Sequence, residues 1–177
     1  MAVDRDLLKR LDVSEAVAAE LSWRNRLLPR RRDEVTLASQ QAKVESWLRP
    51  QLKRSAGQLA SVVLADKSWR GMRPLHVMTL EDRVLYRALV NLIGKALPKP
   101  LLKRIPIDQF KSAPLDVPGV EYITKTDVTS YYEFVDHDLL CAELIAQTGE
   151  EPATEALGEL LASVMGRRGG LPQVHPS

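Results

Sequence analysis

Three groups of side chains have the types and spacing for chemistry on phosphates. Asp127 ends the run Tyr122-Ile123-Thr124-Lys125-Thr126-Asp127. On a strand, Ile123, Lys125 and Asp127 would share one face and Tyr122, Thr124 and Thr126 the other. A carboxylate at the carboxyl end of a strand can hold a divalent cation at the sheet rim, with substrate phosphates completing the coordination. The same residue type also suits a turn, where its oxygens bond nearby backbone. Five residues on stands an aromatic ring, Tyr132, and far downstream Gly170-Leu171-Pro172-Gln173 offers a glycine-turned loop carrying an amide.

The third group lies upstream. Lys67, Trp69, Arg70 and Arg73 surround a turn between two extended segments, 59–64 and 72–78, and would place cations and a ring at the tip of a hairpin. This hairpin belongs to a strongly basic stretch. From Ser22 to Lys111 there are 19 Lys and Arg against 7 Asp and Glu, a net +12, whereas Ser112 to Ser177 has 3 against 11, a net −8. The overall charge of +2 hides this division. A basic middle suits a polyanion held through its backbone, although single runs such as Arg30-Arg31-Arg32 also suit a solvated face.

Other chemistries are poorly served. Cys141 is the one cysteine of the 177 residues, which excludes an internal disulfide and a cysteine-based zinc site; it falls on an apolar helical face with Leu144 and Ile145 and reads as a buried, inert thiol. His76, His137 and His175 have neither metal-ligand spacing nor a positioned Ser or Cys, and are assigned no catalytic part. No stretch approaches the roughly 18 apolar residues of a membrane span, and the first residues lack a signal-peptide pattern. The expected location is cytoplasmic, with no membrane partner.

The elements that must position these groups are mostly helical at first. Helices are expected over about 14–28 and 36–52, punctuated by Pro29 and Pro50, with Trp47 on the apolar face of the second. Thr79 reads as an N-cap with Asp82 three residues on, opening a helix whose face carries Leu85, Ala88, Leu89, Leu92, Ile93 and Ala96 and which ends before Pro98. Residues 98–119 read as a traversing loop with short pieces of structure, and 120–128 as a strand. Asp136 caps a helix with Leu139, Leu140, Leu144 and Ile145; a last helix starts at Pro152 and is broken at Arg167-Arg168-Gly169-Gly170.

The segment Asp127 to Leu140 resembles the first palm motif of reverse transcriptases. The stretch Arg73 to Ala88 is similar to the fingers segment that precedes the palm in bacterial and intron-type members, and Gly170-Leu171-Pro172-Gln173 looks like the family's loop beneath the nascent base pair. The resemblance covers Lys67 to Ser177. It implies an α+β fold, with a helical N-terminal extension over 1–57 followed by partial fingers and palm over 58–177. It implies that Asp127, with Val128 beside it, holds catalytic Mg2+ in a two-metal site that is incomplete here. Arg73 and Lys67 would contact a deoxynucleoside triphosphate, Tyr132 would exclude a 2′-hydroxyl, and Gln173 would help position nucleotide and template. Trp69 and Arg70 would touch nucleic acid, with RNA template and DNA primer as partners. Asp82 and Arg83 read as structural, fixing the helix start. Val174 departs from the family's usual glycine after the glutamine.

Such chemistry needs little covalent help from protein. It needs two cations about 4 Å apart, in-line geometry and positive charge on the triphosphate. The family's second metal-binding segment, Tyr-x-Asp-Asp, has no counterpart, since no acidic residue follows Glu159. The expectation is therefore an amino-terminal portion of an RNA-directed DNA polymerase, inactive by itself, with a partly unpaired 120–128 strand and a tendency to self-associate. The bacterial antiphage group is the nearest resemblance; an intron-type or retroelement enzyme is the alternative within the superfamily. Outside it stands a non-catalytic nucleic-acid-binding or partner-binding remnant.

Overall fold

The computed structural model describes residues 4–22, 36–53, 57–66, 72–99, 105–124, 126, 128 and 130–172. Asp12 opens the helical part by local chemistry: its Oδ1 accepts the Glu15 amide at 2.9 Å and satisfies a donor the helix leaves free. Helix α1 (Arg5–Arg10) precedes it, with Asp6 in its first turn and Lys9 and Arg10 in its last, as the helix dipole favours. Helix α2 (Val13–Ser22) buries Val13, Ala16, Val17, Glu20 and Leu21, a stripe at three- and four-residue steps.

Helix α3 (Gln41–Leu52) buries Val44, Leu48 and Leu52. Two expectations need correction here. Pro50 lies inside the helix, because Leu48 and Leu52 on either side of it are fully buried and their packing holds the last turn. Trp47 is half exposed, since the buried stripe advances by four residues and leaves the ring on its flank.

Strands β1 (Ser61–Asp66) and β2 (Met72–Val77) pair antiparallel from Ser61 opposite Val77 to Asp66 opposite Met72, in a sheet of two strands. The expected hairpin is thus formed. Its root is sewn to the end of the last helix: the Ala60 amide donates to the Val164 carbonyl at 2.9 Å and Ser163 Oγ to the Gly57 carbonyl at 3.0 Å. Gly57 has φ +69°, and a Cβ there would sit 2.8 Å from the Ser163 Cβ, so this approach requires glycine.

Helix α4 (Leu80–Ala96) is the centre of the molecule. Thr79 caps it, accepting the Asp82 amide at 3.2 Å. The Asp82 carboxylate is itself buried and accepts the Gln58 amide at 3.1 Å, so it ties the helix start to the hairpin root. Val84, Leu85, Ala88, Leu89 and Ile93 are buried, with α2, α3 and the last helix packed on them. Ala96, expected on that face, is exposed at the final turn.

After the short helix α5 (Ile107–Ser112) and a 3-10 turn at Ala113–Asp116, the chain reaches 120–128. The expected strand is not formed among the described residues of this segment. An extended segment becomes a strand only by sharing a hydrogen-bond ladder, and no described strand lies beside it. Tyr122, Ile123 and Val128 consequently remain exposed.

A 3-10 turn at Tyr131–Glu133 leads into helix α6 (His137–Thr148), capped by Asp136, whose Oδ1 accepts the Leu139 amide at 2.9 Å. Gly149 ends α6 in the left-handed region. Helix α7 (Glu151–Met165) follows, with Leu157, Leu160, Leu161 and Val164 buried, and stops at Gly166, also left-handed. Leu139 is exposed rather than packed. Cys141 is half-buried, not fully; burial and then the charge of Asp138 raise its thiol pKa, which keeps it protonated and unreactive. The apolar core draws on α1 to α4 and α7 alike, so residues from both sides of position 57 share it. The architecture of the described residues is α+β: a helical assembly with a small two-stranded antiparallel sheet.

Candidate functional site

Ser130 redirects the chain at the end of the 120–128 segment. Its φ of +52° is the one positive value at a non-glycine residue among the described residues. Such a conformation costs roughly 1 kcal/mol or more and persists only where neighbouring structure enforces it. Its carbonyl accepts the Glu133 amide at 2.7 Å, which winds Tyr131–Glu133 into the 3-10 turn. Tyr131 and Tyr132 then meet edge to face, centroids 5.5 Å apart, with both rings exposed.

This turn is stitched to the loop that follows α7. The Leu171 amide donates to the Tyr132 carbonyl at 2.6 Å and the Gly170 amide to the Val135 carbonyl at 2.8 Å, next to a single antiparallel bridge between Asp136 and Gly169. Arg167 spans the two pieces through side-chain bonds, Nε to the Gly169 carbonyl and Nη2 to the Glu133 carbonyl, both at 3.1 Å. His137, fully buried at the start of α6, places Nε2 2.6 Å from the Gly170 carbonyl oxygen. Gly170 has φ +88°, and a Cβ there would lie 3.3 Å from the Glu133 carbonyl oxygen and 3.0 Å from the Met165 methyl. Glycine is thus required where the two segments touch.

The structure therefore brings together two groups singled out in the sequence: Tyr132 and the described part of the glutamine loop, Gly170 to Pro172. Of the third group, Arg73 alone is among the described residues. Arg73 is exposed on β2, paired opposite Ala65, and three residues along the same strand His76 lies in the field of this stitch. Burial lowers the His76 pKa below the ordinary histidine value, the Arg167 guanidinium lowers it further, and Glu133 opposes them. Met72, Pro74 and His76 share one face of β2, whereas Arg73 shares the other with buried Leu75.

Asp127, Lys67, Trp69, Arg70 and Gln173 lie outside the described residues. Val128 is exposed beside the turn's start. Among the described residues no three His, Cys, Asp or Glu side chains converge, so they do not by themselves make a metal site. Comparison with protein-family models, with curated proteins and with solved structures finds no match. No described helix is long and apolar enough to cross a membrane.

Sequence reasoning missed two members of the stitch. His137 was assigned no chemical part, and Arg167 only ended a helix. The long-range partner of each is a carbonyl group brought near by the α6–α7 turnaround, which leaves no local signal: Gly170 lies 33 residues from His137 and Glu133 lies 34 from Arg167.

Proposed function

We propose that this chain forms the fingers and first palm segment of a reverse-transcriptase-like nucleotidyltransferase, which extends a DNA primer on an RNA template. The observation that carries the reading is the contact of the Tyr132 turn with the Gly170–Pro172 loop, two motifs that lie far apart in sequence and suit one chemistry. In this reading Arg73 and Lys67 bind the triphosphate of a deoxynucleotide, the Tyr132 ring crowds its 2′ position, and Gln173 orients it. Asp127, with Val128, would hold Mg2+, which supplies charge neutralisation at the transferring phosphoryl group. The basic middle of the chain, net +12 over Ser22 to Lys111, holds template and primer through phosphates.

The test is calorimetric binding of dTTP in Mg2+ to this chain. Arg73→Ala and Asp127→Ala are each expected to weaken binding at least tenfold, about 1.4 kcal/mol; affinity unchanged in both removes the nucleotide site. Tyr132→Ala should narrow the preference for dTTP over UTP. In any longer form that carries a Tyr-x-Asp-Asp segment, Asp127→Ala abolishes nucleotide incorporation.

A second reading is favoured by the charge division alone: a nucleic-acid binder without catalysis. It predicts binding to RNA that falls steeply with salt and survives Asp127→Ala, with no dTTP affinity.

A further inference from the structure

We infer that His137 is a positioning residue that sets the Gly170–Pro172 segment against the Tyr132 turn; the inference rests on the nucleotide-site reading above. A carbonyl oxygen only accepts, so at 2.6 Å from the Gly170 carbonyl the His137 Nε2 carries the hydrogen. The ring is fully buried, and its Nδ1 has no partner among the described residues. The donor bond to Gly170 is therefore the polar interaction the ring makes among the described residues. Its position explains what that bond achieves. His137 is the first residue of α6, held in register by the Asp136 cap, so its side chain is anchored to a helix rather than to a loop. Gly170 is buried with φ +88° and donates its own amide to the Val135 carbonyl. His137 thus grips the opposite side of the same peptide group pair, and the left-handed glycine is held from both directions. The Leu171 amide can meet the Tyr132 carbonyl only while Gly170 keeps that orientation. In the proposed site, the imidazole thus adds a buried side-chain bond to the backbone bonds and the Arg167 contacts that hold Gly170–Pro172 against the Tyr132 turn. The proposed metal carboxylate, sugar gate and glutamine do not include this residue.

Three replacements separate positioning from packing. His137→Phe keeps a flat ring, somewhat larger than imidazole, and removes the donor together with the unpartnered Nδ1; His137→Asn removes the Nε2-reach donor without overpacking and so controls for the added bulk. His137→Gln returns a nitrogen donor at the reach of Nε2, and His137→Asn places one only as far as Nδ1. Amide hydrogen exchange followed by NMR reads the stitch directly. In His137→Phe and His137→Asn, the amides of Gly170 and Leu171 should exchange at least tenfold faster while those of Leu85 and Leu89 in α4 are unchanged; His137→Gln should restore protection. Arg168→Ala, at an exposed side chain bonded to Asp138 and Glu159, serves as the neighbouring control and should leave both amides as they are. Unchanged exchange at Gly170 and Leu171 in His137→Phe overturns the inference whatever the protein binds. The second readout is dTTP affinity in Mg2+, expected to fall about tenfold in His137→Phe and to recover in His137→Gln, with salt-dependent RNA binding unaltered. Equal dTTP affinity in all variants overturns the positioning role in binding. No dTTP binding by the unsubstituted chain, with exchange still governed by His137, overturns the nucleotide reading and supports the clamp.

Discussion

Glu20 on α2 and Arg87 on α4 form a buried ion pair that joins these two helices. The carboxylate side chain has no exposed surface, and its Oε1 lies 2.5 Å from Arg87 Nε, with Arg83 Nε 3.8 Å from Oε2. A buried carboxylate is tolerable only with compensating charge and hydrogen bonds, and two guanidinium groups one turn apart on the same helix supply them.

Removing one member should therefore be costly. Glu20→Ala leaves two guanidinium groups side by side on α4 without their shared carboxylate and is expected to lower the unfolding free energy by about 3 kcal/mol. Urea denaturation monitored by circular dichroism measures it. A loss below about 1 kcal/mol would place this pair with ordinary surface pairs.

Gly158 lies in mid-helix on α7, where alanine would ordinarily stabilise by about 1 kcal/mol. Here a Cβ would sit 2.6 Å from the Cys141 sulfur on α6. Gly158→Ala should instead destabilise by roughly 1–3 kcal/mol. In a Cys141→Ala background the same change should be neutral or stabilising. The reversal of sign, read from a double-mutant cycle of thermal unfolding, tests whether the helices touch at this point.

His76 gives stability a dependence on pH. Its folded pKa lies below the ordinary 6.5, chiefly through burial and then through Arg167. On acidification the unfolded chain takes up a proton at His76 first, so the contribution is fully present above about pH 6.5 and is lost as pH falls through the lower folded pKa. A His76→Gln variant has no such proton to bind. Its melting temperature should fall less than that of the parent between pH 7 and pH 5, with the two differing by a constant above pH 7. Parallel curves throughout that range would show that His76 is not perturbed.

Much of the fold was legible because its determinants are local. The Thr79 and Asp136 caps, the glycine stops at Gly149 and Gly166, and the buried stripe of α7 each depend on residues within a few positions. Trp47 and Pro50 were misread for one reason: periodicity finds an apolar face but not which edge of it a neighbouring helix covers, nor whether a flanking leucine is buried deeply enough to carry a helix through a proline. The 120–128 segment has a strand's alternation, yet alternation does not supply a partner, and pairing is what makes a strand.

The sequence by itself determined the longer helices, the pairing strands and the residue types of the candidate site, since propensity, capping and charge act over short separations. Tertiary structure alone decided that the Tyr132 turn and the Gly170 loop meet, that Asp82 serves the Gln58 amide, and that His137 grips a carbonyl 33 residues away. The physical reason is that a hydrogen bond to backbone carries no signature of its partner's identity. Every residue offers the same carbonyl and nearly every residue the same amide, so only the packing of α6 against α7 selects which ones come within reach.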